Sequence, residues 1–175
     1  MNKDDVFLLE RNNGDTKKYK IIHPFDGRVI PLEPKILRAE AQNLTNKLTL
    51  KDVNYILGFA EGGLLSAYAV AEVTNLPFIG SYRVRLKTEH EIHFTEPHSA
   101  RADHYIYGLR SGDKVVIIED EITTGSTLLS ALESLEKSNI TVVDIGAFIL
   151  AGNFDLSLIS SRGYNIKNLY TKQLL

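Results

Sequence analysis

Two adjacent carboxylates, Glu119 and Asp120, are followed within seven positions by Thr123, Thr124, Gly125, Ser126 and Thr127. Ionised carboxylates only accept hydrogen bonds, so a pair of them suits vicinal hydroxyls such as those of a ribose. The segment behind them suits the other end of such a molecule. Small residues let backbone N–H groups converge on one point, and a helix starting there adds positive potential, which together bind phosphate without a lysine. Acids beside a phosphate cradle match a phosphorylated sugar. The same string also reads as a buried strand, solvated acids and a Ser/Thr-capped helix. The coincidence of independent features from Val115 to Thr127 favours the sugar-phosphate site.

The elements that must hold these residues follow from pattern. Val115-Val116-Ile117-Ile118 is a branched apolar run typical of a strand buried on both faces. The helix after Thr127 places Leu128, Ala131, Leu132 and Leu135 on one face. Upstream, Tyr55 to Ala60 reads as a strand, Glu61-Gly62-Gly63 as a turn, and Leu64 to Val73 as a helix stopped by Asn75-Leu76-Pro77. Phe78 to Leu86 is predicted as the next strand, and Ser111-Gly112-Asp113 as a turn. Thr141 to Leu150 and Tyr164 to Thr171 are later strands, with a helix over Phe154 to Arg162 ended by Gly163.

Nearer the start, Val6 to Arg11 precedes a turn at Asn12-Asn13-Gly14-Asp15. Extended segments are expected at Tyr19 to His23 and Arg28 to Leu32. A helix from Pro34 shows Leu37, Ala41, Leu44 and Leu48 on one face. From Asn54 on, strand and helix alternate, which predicts an α/β fold. Its parallel twisted sheet is flanked by helices, its crossovers are right-handed, and ligands sit at the carboxyl ends of strands. Lys87 to Asp103 is polar and without period, so it is expected to be a functional or mobile loop.

The string from Val115 to Thr127 resembles the 5-phosphoribosyl-1-pyrophosphate (PRPP) motif of the type I phosphoribosyltransferases, of the kind found in the adenine and orotate enzymes: an apolar run, two acids, two mostly apolar positions, then Thr-(Ala/Thr)-Gly-(Thr/Gly/Ser)-Thr. The resemblance implies one domain over residues 1–175. A hood and first helix would fill about 1–50, a PRPP-binding core about 54–150, and a flexible loop 87–103. It implies that Glu119 and Asp120 contact the ribose hydroxyls and that Thr123, Thr124, Gly125, Ser126 and Thr127 hold the 5-phosphate. Ala60, Glu61, Gly62 and Gly63 stand where the family has its pyrophosphate loop, with Arg83, Arg85, Lys87 and Arg101 as further pyrophosphate contacts. Arg83, Arg85 and Lys87 alternate and so share a face if they lie on a strand; a solvated edge strand explains the same pattern.

Glu96 and His98 are the candidates for catalytic contacts made when the loop closes and excludes water. Phe25 and Arg28 are the base-binding candidates, Tyr19 being an alternative stacking partner. Mg²⁺ is the implied cofactor, held mainly through PRPP with help from Asp120 and Glu119. The implied reaction moves the phosphoribosyl group of PRPP to a nitrogenous base with release of pyrophosphate, an adenine-like purine being the first expectation. Orotate or another pyrimidine, and a non-catalytic PRPP-sensing regulator, are the alternatives. Two departures from the family motivate the regulator: Glu61 in the pyrophosphate turn and Glu121 beside the acid pair.

Composition excludes several other classes. There is no cysteine, hence no disulfide, thiolate site or cysteine nucleophile. A net charge of -2 gives no drive toward nucleic acid or acidic membranes. Met1 to Asp5 is not signal-like, Val6 to Leu9 is too short for a signal core, and no run approaches a membrane span, so a cytoplasmic protein is expected. There is no Gly-x-x-x-x-Gly-Lys motif and no Gly-x-Gly-x-x-Gly fingerprint. His90, His93, Glu96 and His98 offer a zinc alternative within the loop. Family members are usually dimers, so a homodimer is implied.

Overall fold

The computed structural model describes residues 6–10, 19–97, 102–152 and 156–173. Its centre is β7 (Lys114–Ile122), flanked in parallel by β3 (Tyr55–Gly58) and β8 (Thr141–Ala151). Val115, Val116, Ile117 and Ile118 are all fully buried because helices cover both faces. Val115 and Ile117 join one core with Leu57, Leu128, Leu132 and Leu135 of α3 (Ser126–Lys137). Val116 and Ile118 point the other way. They meet Leu37, Ala41 and Leu44 of α1 (Pro34–Thr45) and Ala67 and Val70 of α2 (Gly63–Thr74).

The seven-stranded sheet has the order β5-β6-β4-β3-β7-β8-β9. β4 (Phe78–Tyr82) and β9 (Lys167–Lys172) extend the parallel set, while β5 (Glu91–Thr95) and β6 (Asp103–Tyr107) add an antiparallel hairpin beyond β4. A short α4 (Ser157–Ser160) packs Ile159 on the α3 side. β1 (Phe7–Glu10) and β2 (Tyr19–Ile22) form a separate antiparallel pair. Ile21 of this pair and Val6 just before it bury against the α1–α2 core.

Five expectations change. Arg28 to Leu32 is not a strand but a series of bends leading to α1. The strand from Phe78 ends at Tyr82, so Arg83, Arg85 and Lys87 do not alternate on one. The stretch 87–103 is not a plain loop. It contains β5 and enters β6, in register from Glu91↔Tyr107 to Thr95↔Asp103. Ile92 and Phe94 point inward while His93 faces out, a period of two too short to stand out among the surrounding polar residues. The helix expected over Phe154 to Arg162 is described only as α4, since 153–155 lie outside the described residues, and β9 starts later than expected, at Lys167.

Candidate active site

The acid pair and the glycine turn sixty residues upstream interlock. β3 and β7 run parallel and adjacent, so their carboxyl ends release the turn Ala60–Gly63 and the residues Glu119 to Glu121 side by side. A Cβ on Gly62 would lie 2.0 Å from Asp120 Oδ2, and one on Gly63 would lie 2.6 Å from Glu119 Oε1. The carboxylates occupy the space that any side chain at those two positions would need. Glu119 Oε1 also accepts the Phe59 N–H at 3.2 Å. The Ala60–Glu61 peptide within the turn is cis.

The three consecutive acids differ electrostatically. Burial, with Asp120 and Glu121 close by, pushes the Glu119 carboxyl well above its ordinary value. Burial acts the same way on Asp120. There the N–H of His23 and the charge of Lys20 outweigh it and hold the carboxyl below its ordinary value. Burial and Asp120 raise Glu121 against the pull of Lys20, whose Nζ lies 2.9 Å from Glu121 Oε1. Glu121 therefore neither points into solvent nor adds an uncompensated charge. Glu61, the other departure, lies 3.5 Å from Arg28 Nη2.

Beyond the acids, Gly125 turns the chain with φ 72°, a conformation that disfavours any Cβ, and α3 begins at Ser126. Of the N–H groups in its first turn, that of Ser126 reaches Thr124 Oγ1 at 3.4 Å, and no N-cap side chain holds the others. The N–H groups of Thr127 and Leu128 are thus available to an anion. Thr124 and Ser126 hydroxyls pair at 2.9 Å. Thr123 to Thr127, Glu119, Asp120, Glu121 and Ala60 to Gly63 border a single cleft, together with Lys20, Arg28, Arg83, Glu96 and His104.

Other expected site residues fare differently. Arg83 borders the cleft with Nη2 2.7 Å from Glu96 Oε2. Arg85 pairs instead with Glu91 on the exposed side of the hairpin, and Lys87 is exposed and outside the cleft, because the strand that would have aligned them stops at Tyr82. Phe25 cannot stack on a base. It is fully buried, edge-on to Phe148 at 5.0 Å and stacked near Tyr170, because the chain leaving β2 dives into the α1–α2 core. Arg28 does reach the cleft. His98, Arg101 and the Tyr19 side chain lie outside the described residues.

Reading the sequence alone misses four residues at or beside the cleft. Lys20 and His23 arrive from β2 and the turn after it, about a hundred positions from the acids they face. Ser81 of β4 and His104 of β6 meet only because those strands pair, Ser81 opposite Ile106. The alternation of His104 and Ile106 inward with Tyr105 and Tyr107 outward was the one available clue.

Nitrogen-based metal sites are not supported. Among the described residues, His23, Asp26 and Asp120 bring one ligand atom each within 4.8 Å of one another. However, His23 Nδ1 accepts the Phe25 N–H at 3.2 Å, which leaves the ring proton on Nε2, facing Asp120. That nitrogen is a donor and has no lone pair for a metal. The zinc alternative in the hairpin does not assemble among the described residues, which leave out His98. His93 Nε2 lies 2.7 Å from Asp103, and Glu96 is taken by Arg83.

Comparison with known proteins agrees with this geometry. Residues 9–149 match the family model described as phosphoribosyl transferase. A hypoxanthine/guanine phosphoribosyltransferase of Methanocella paludicola is 32% identical over 150 residues, covering 85% of this chain and 77% of that protein. The protein of the same name from Methanobacterium lacus is 28% identical, covering 85% and 78%. An adenine phosphoribosyltransferase structure from Trypanosoma brucei, in complex with AMP, pyrophosphate and ribose-5-phosphate, superposes with a TM-score of 0.71 at 16% identity, covering 96% of this chain and 77% of that one.

Proposed function

The chain belongs to the phosphoribosyl transferase family, and we propose that it transfers the 5-phosphoribosyl group of PRPP to a ring nitrogen of a purine base, releasing pyrophosphate. The observation that carries this reading is the interlock of Asp120 with Gly62 and Glu119 with Gly63, beside the uncapped start of α3. It sets a sugar-binding acid pair between two turns suited to phosphates. The 5-phosphate enters the Thr123–Thr127 turn, the ribose lies over Glu119 and Asp120, and the pyrophosphate lies over Ala60–Gly63.

The reaction needs positive charge tolerated on the ribosyl carbon while pyrophosphate leaves and the base nitrogen attacks from the opposite face. Asp120, held ionised by its neighbours, is the group that steadies that charge and orients the ribose hydroxyls. Burial makes a further charge at Glu119 costly, which works against the negative charge that would otherwise repel the incoming PRPP. The Glu121–Lys20 and Glu61–Arg28 pairs do the same at the cleft rim. With both departures compensated, the motive for a non-catalytic regulator disappears.

The donor set also fits Mg²⁺. The side chains bordering the ribose position are carboxylates, whereas the nearby His23 nitrogen donates, and magnesium favours oxygen and keeps waters. Asp120 and Glu119 would hold the ion from the protein side. When bound with PRPP it supplies neutralisation of the leaving pyrophosphate.

A purine acceptor is supported by the names of the archaeal relatives, with Arg28 as the remaining base-side candidate. The test is pyrophosphate release from PRPP with Mg²⁺ over adenine, hypoxanthine, guanine, orotate and uracil. Release with one or more purines is expected. Release with orotate alone would move the assignment to a pyrimidine, and PRPP binding without release from any base would restore the regulator. A homodimer and a cytoplasmic location belong to the same reading. Light scattering checks the first and cell fractionation the second.

A further inference from the structure

His104 is 1% exposed, yet its ring borders the cleft and its Nε2 has no hydrogen-bond partner. Its other nitrogen is engaged. Nδ1 lies 2.9 Å from Ser81 Oγ, and the same oxygen accepts the Ala60 N–H at 2.9 Å. Ser81 is itself 2% exposed, and among the described residues it has no third partner. Were the ring proton on Nδ1, the Ser81 hydroxyl hydrogen would be buried without an acceptor, a costly arrangement. The hydroxyl therefore donates to Nδ1 and the ring proton sits on Nε2. Burial also lowers the ring below its ordinary value, consistent with a single ring proton.

That proton faces a carboxylate it does not reach. Glu96 Oε2 lies 2.7 Å from Arg83 Nη2 but 3.8 Å from His104 Nε2, beyond hydrogen-bond length. Two donors thus converge on one anionic oxygen and only one is satisfied. Through Ser81 the histidine is tied to Ala60, the first residue of the turn read above as the pyrophosphate site.

We propose that His104, set by Ser81 to present Nε2–H, joins Arg83 in a two-donor subsite for an anionic oxygen of the pyrophosphate of PRPP. This rests on the reading of the cleft as a PRPP site and extends it to a residue of β6 outside the sequence motif. An oxygen of the ligand placed between Arg83 and His104 takes the bond that Glu96 cannot complete. Ribose 5-phosphate, which lacks the pyrophosphate, leaves it unmade.

The test measures binding of PRPP, inorganic pyrophosphate and ribose 5-phosphate, each with Mg²⁺, by calorimetry. The proteins are wild type, His104→Asn, which ends short of the Nε2 position, and His104→Gln, whose amide nitrogen reaches it. His104→Asn is expected to weaken PRPP and pyrophosphate by about tenfold or more, the worth of a hydrogen bond to a charged group. Ribose 5-phosphate should stay within about twofold, with much of the loss restored in His104→Gln. Equal losses for all three ligands, or none for pyrophosphate, overturn the proposal. Wild type that binds neither PRPP nor pyrophosphate overturns the PRPP reading itself. A second measurement needs no variant. Nitrogen-15 spectra of the wild-type imidazole should show the Nε2-protonated form, with its proton moving on addition of pyrophosphate but not of ribose 5-phosphate. An Nδ1-protonated ring, or no movement with pyrophosphate, refutes it.

Discussion

Replacing Gly62 with alanine separates catalysis from stability more sharply than any other change at the cleft. Gly62 has φ -67° and ψ -45°, ordinary right-handed helical values, so its backbone accepts alanine. Removing glycine from that conformation stabilises the chain by up to about 1 kcal/mol. The new Cβ would lie 2.0 Å from Asp120 Oδ2 and 2.7 Å from Asp120 Cγ. To reach ordinary contact near 3.4 Å the carboxylate must withdraw by about 1.4 Å. That move disturbs its approach to His23 Nε2, 3.4 Å away, at a cost of about 1.5 kcal/mol for a contact of this length. The two terms nearly cancel, and the melting temperature should change by no more than a few degrees. Catalysis has no such compensation. A reactive group misplaced by about 1 Å costs about a hundredfold in rate. Gly62→Ala should therefore melt near wild type and release pyrophosphate about a hundred times more slowly. Gly112→Ala is the control. Its Cβ meets nothing, but its φ of 91° is strained for alanine, so it should lose about 1–2 kcal/mol of stability and keep its rate. A Gly62→Ala enzyme within about threefold of wild-type rate would mean that the Asp120 position does not matter to transfer.

The same reasoning makes four further expectations. Asp120→Asn keeps an oxygen toward His23 but loses the charge, so transfer should fall about a hundredfold or more in a protein that still folds, checked by circular dichroism beside the rate assay. Glu119 has a raised folded value: below 4.5 both states are protonated, and as pH climbs only the unfolded chain ionises freely, so this group withdraws stability as pH rises. Glu119→Gln, whose carbonyl still accepts the Phe59 N–H, should gain on wild type in urea denaturation as pH rises above 4.5; a constant difference contradicts the burial argument. Phe25→Leu should cost about 1–2 kcal/mol through lost packing on Phe148 and leave the KM for base unchanged, whereas a raised base KM at unchanged stability would return Phe25 to the base site. Arg85→Ala and Lys87→Ala should leave the KM for PRPP within about twofold, and a large rise in either would mean that the hairpin side chains swing into the cleft.

The parts of this protein legible from residues alone are those whose geometry is made by neighbours in the chain. A branched run at Val115–Ile118, two acids and a Thr-Thr-Gly-Ser-Thr turn specify a buried strand, a carboxylate pair and a helix start without help from elsewhere. The structure keeps that sequence of elements, extending the strand through Ile122. The period of Leu37, Ala41 and Leu44 likewise declares its helix, because a one-sided apolar stripe has one way to be buried. What stayed hidden depends on distant strands pairing. Arg83 reaches the cleft and Arg85 does not because β4 ends at Tyr82 and the chain then bends, and Phe25 is core while Arg28 is rim because of how β2 leaves its hairpin. Lys20, His23, Ser81 and His104 acquire their roles only through contacts across the fold. Side-chain chemistry and local backbone preference are written residue by residue, whereas the company a charged or hydrogen-bonding group keeps is set by which surfaces bury together, and that balance is struck by the whole chain at once.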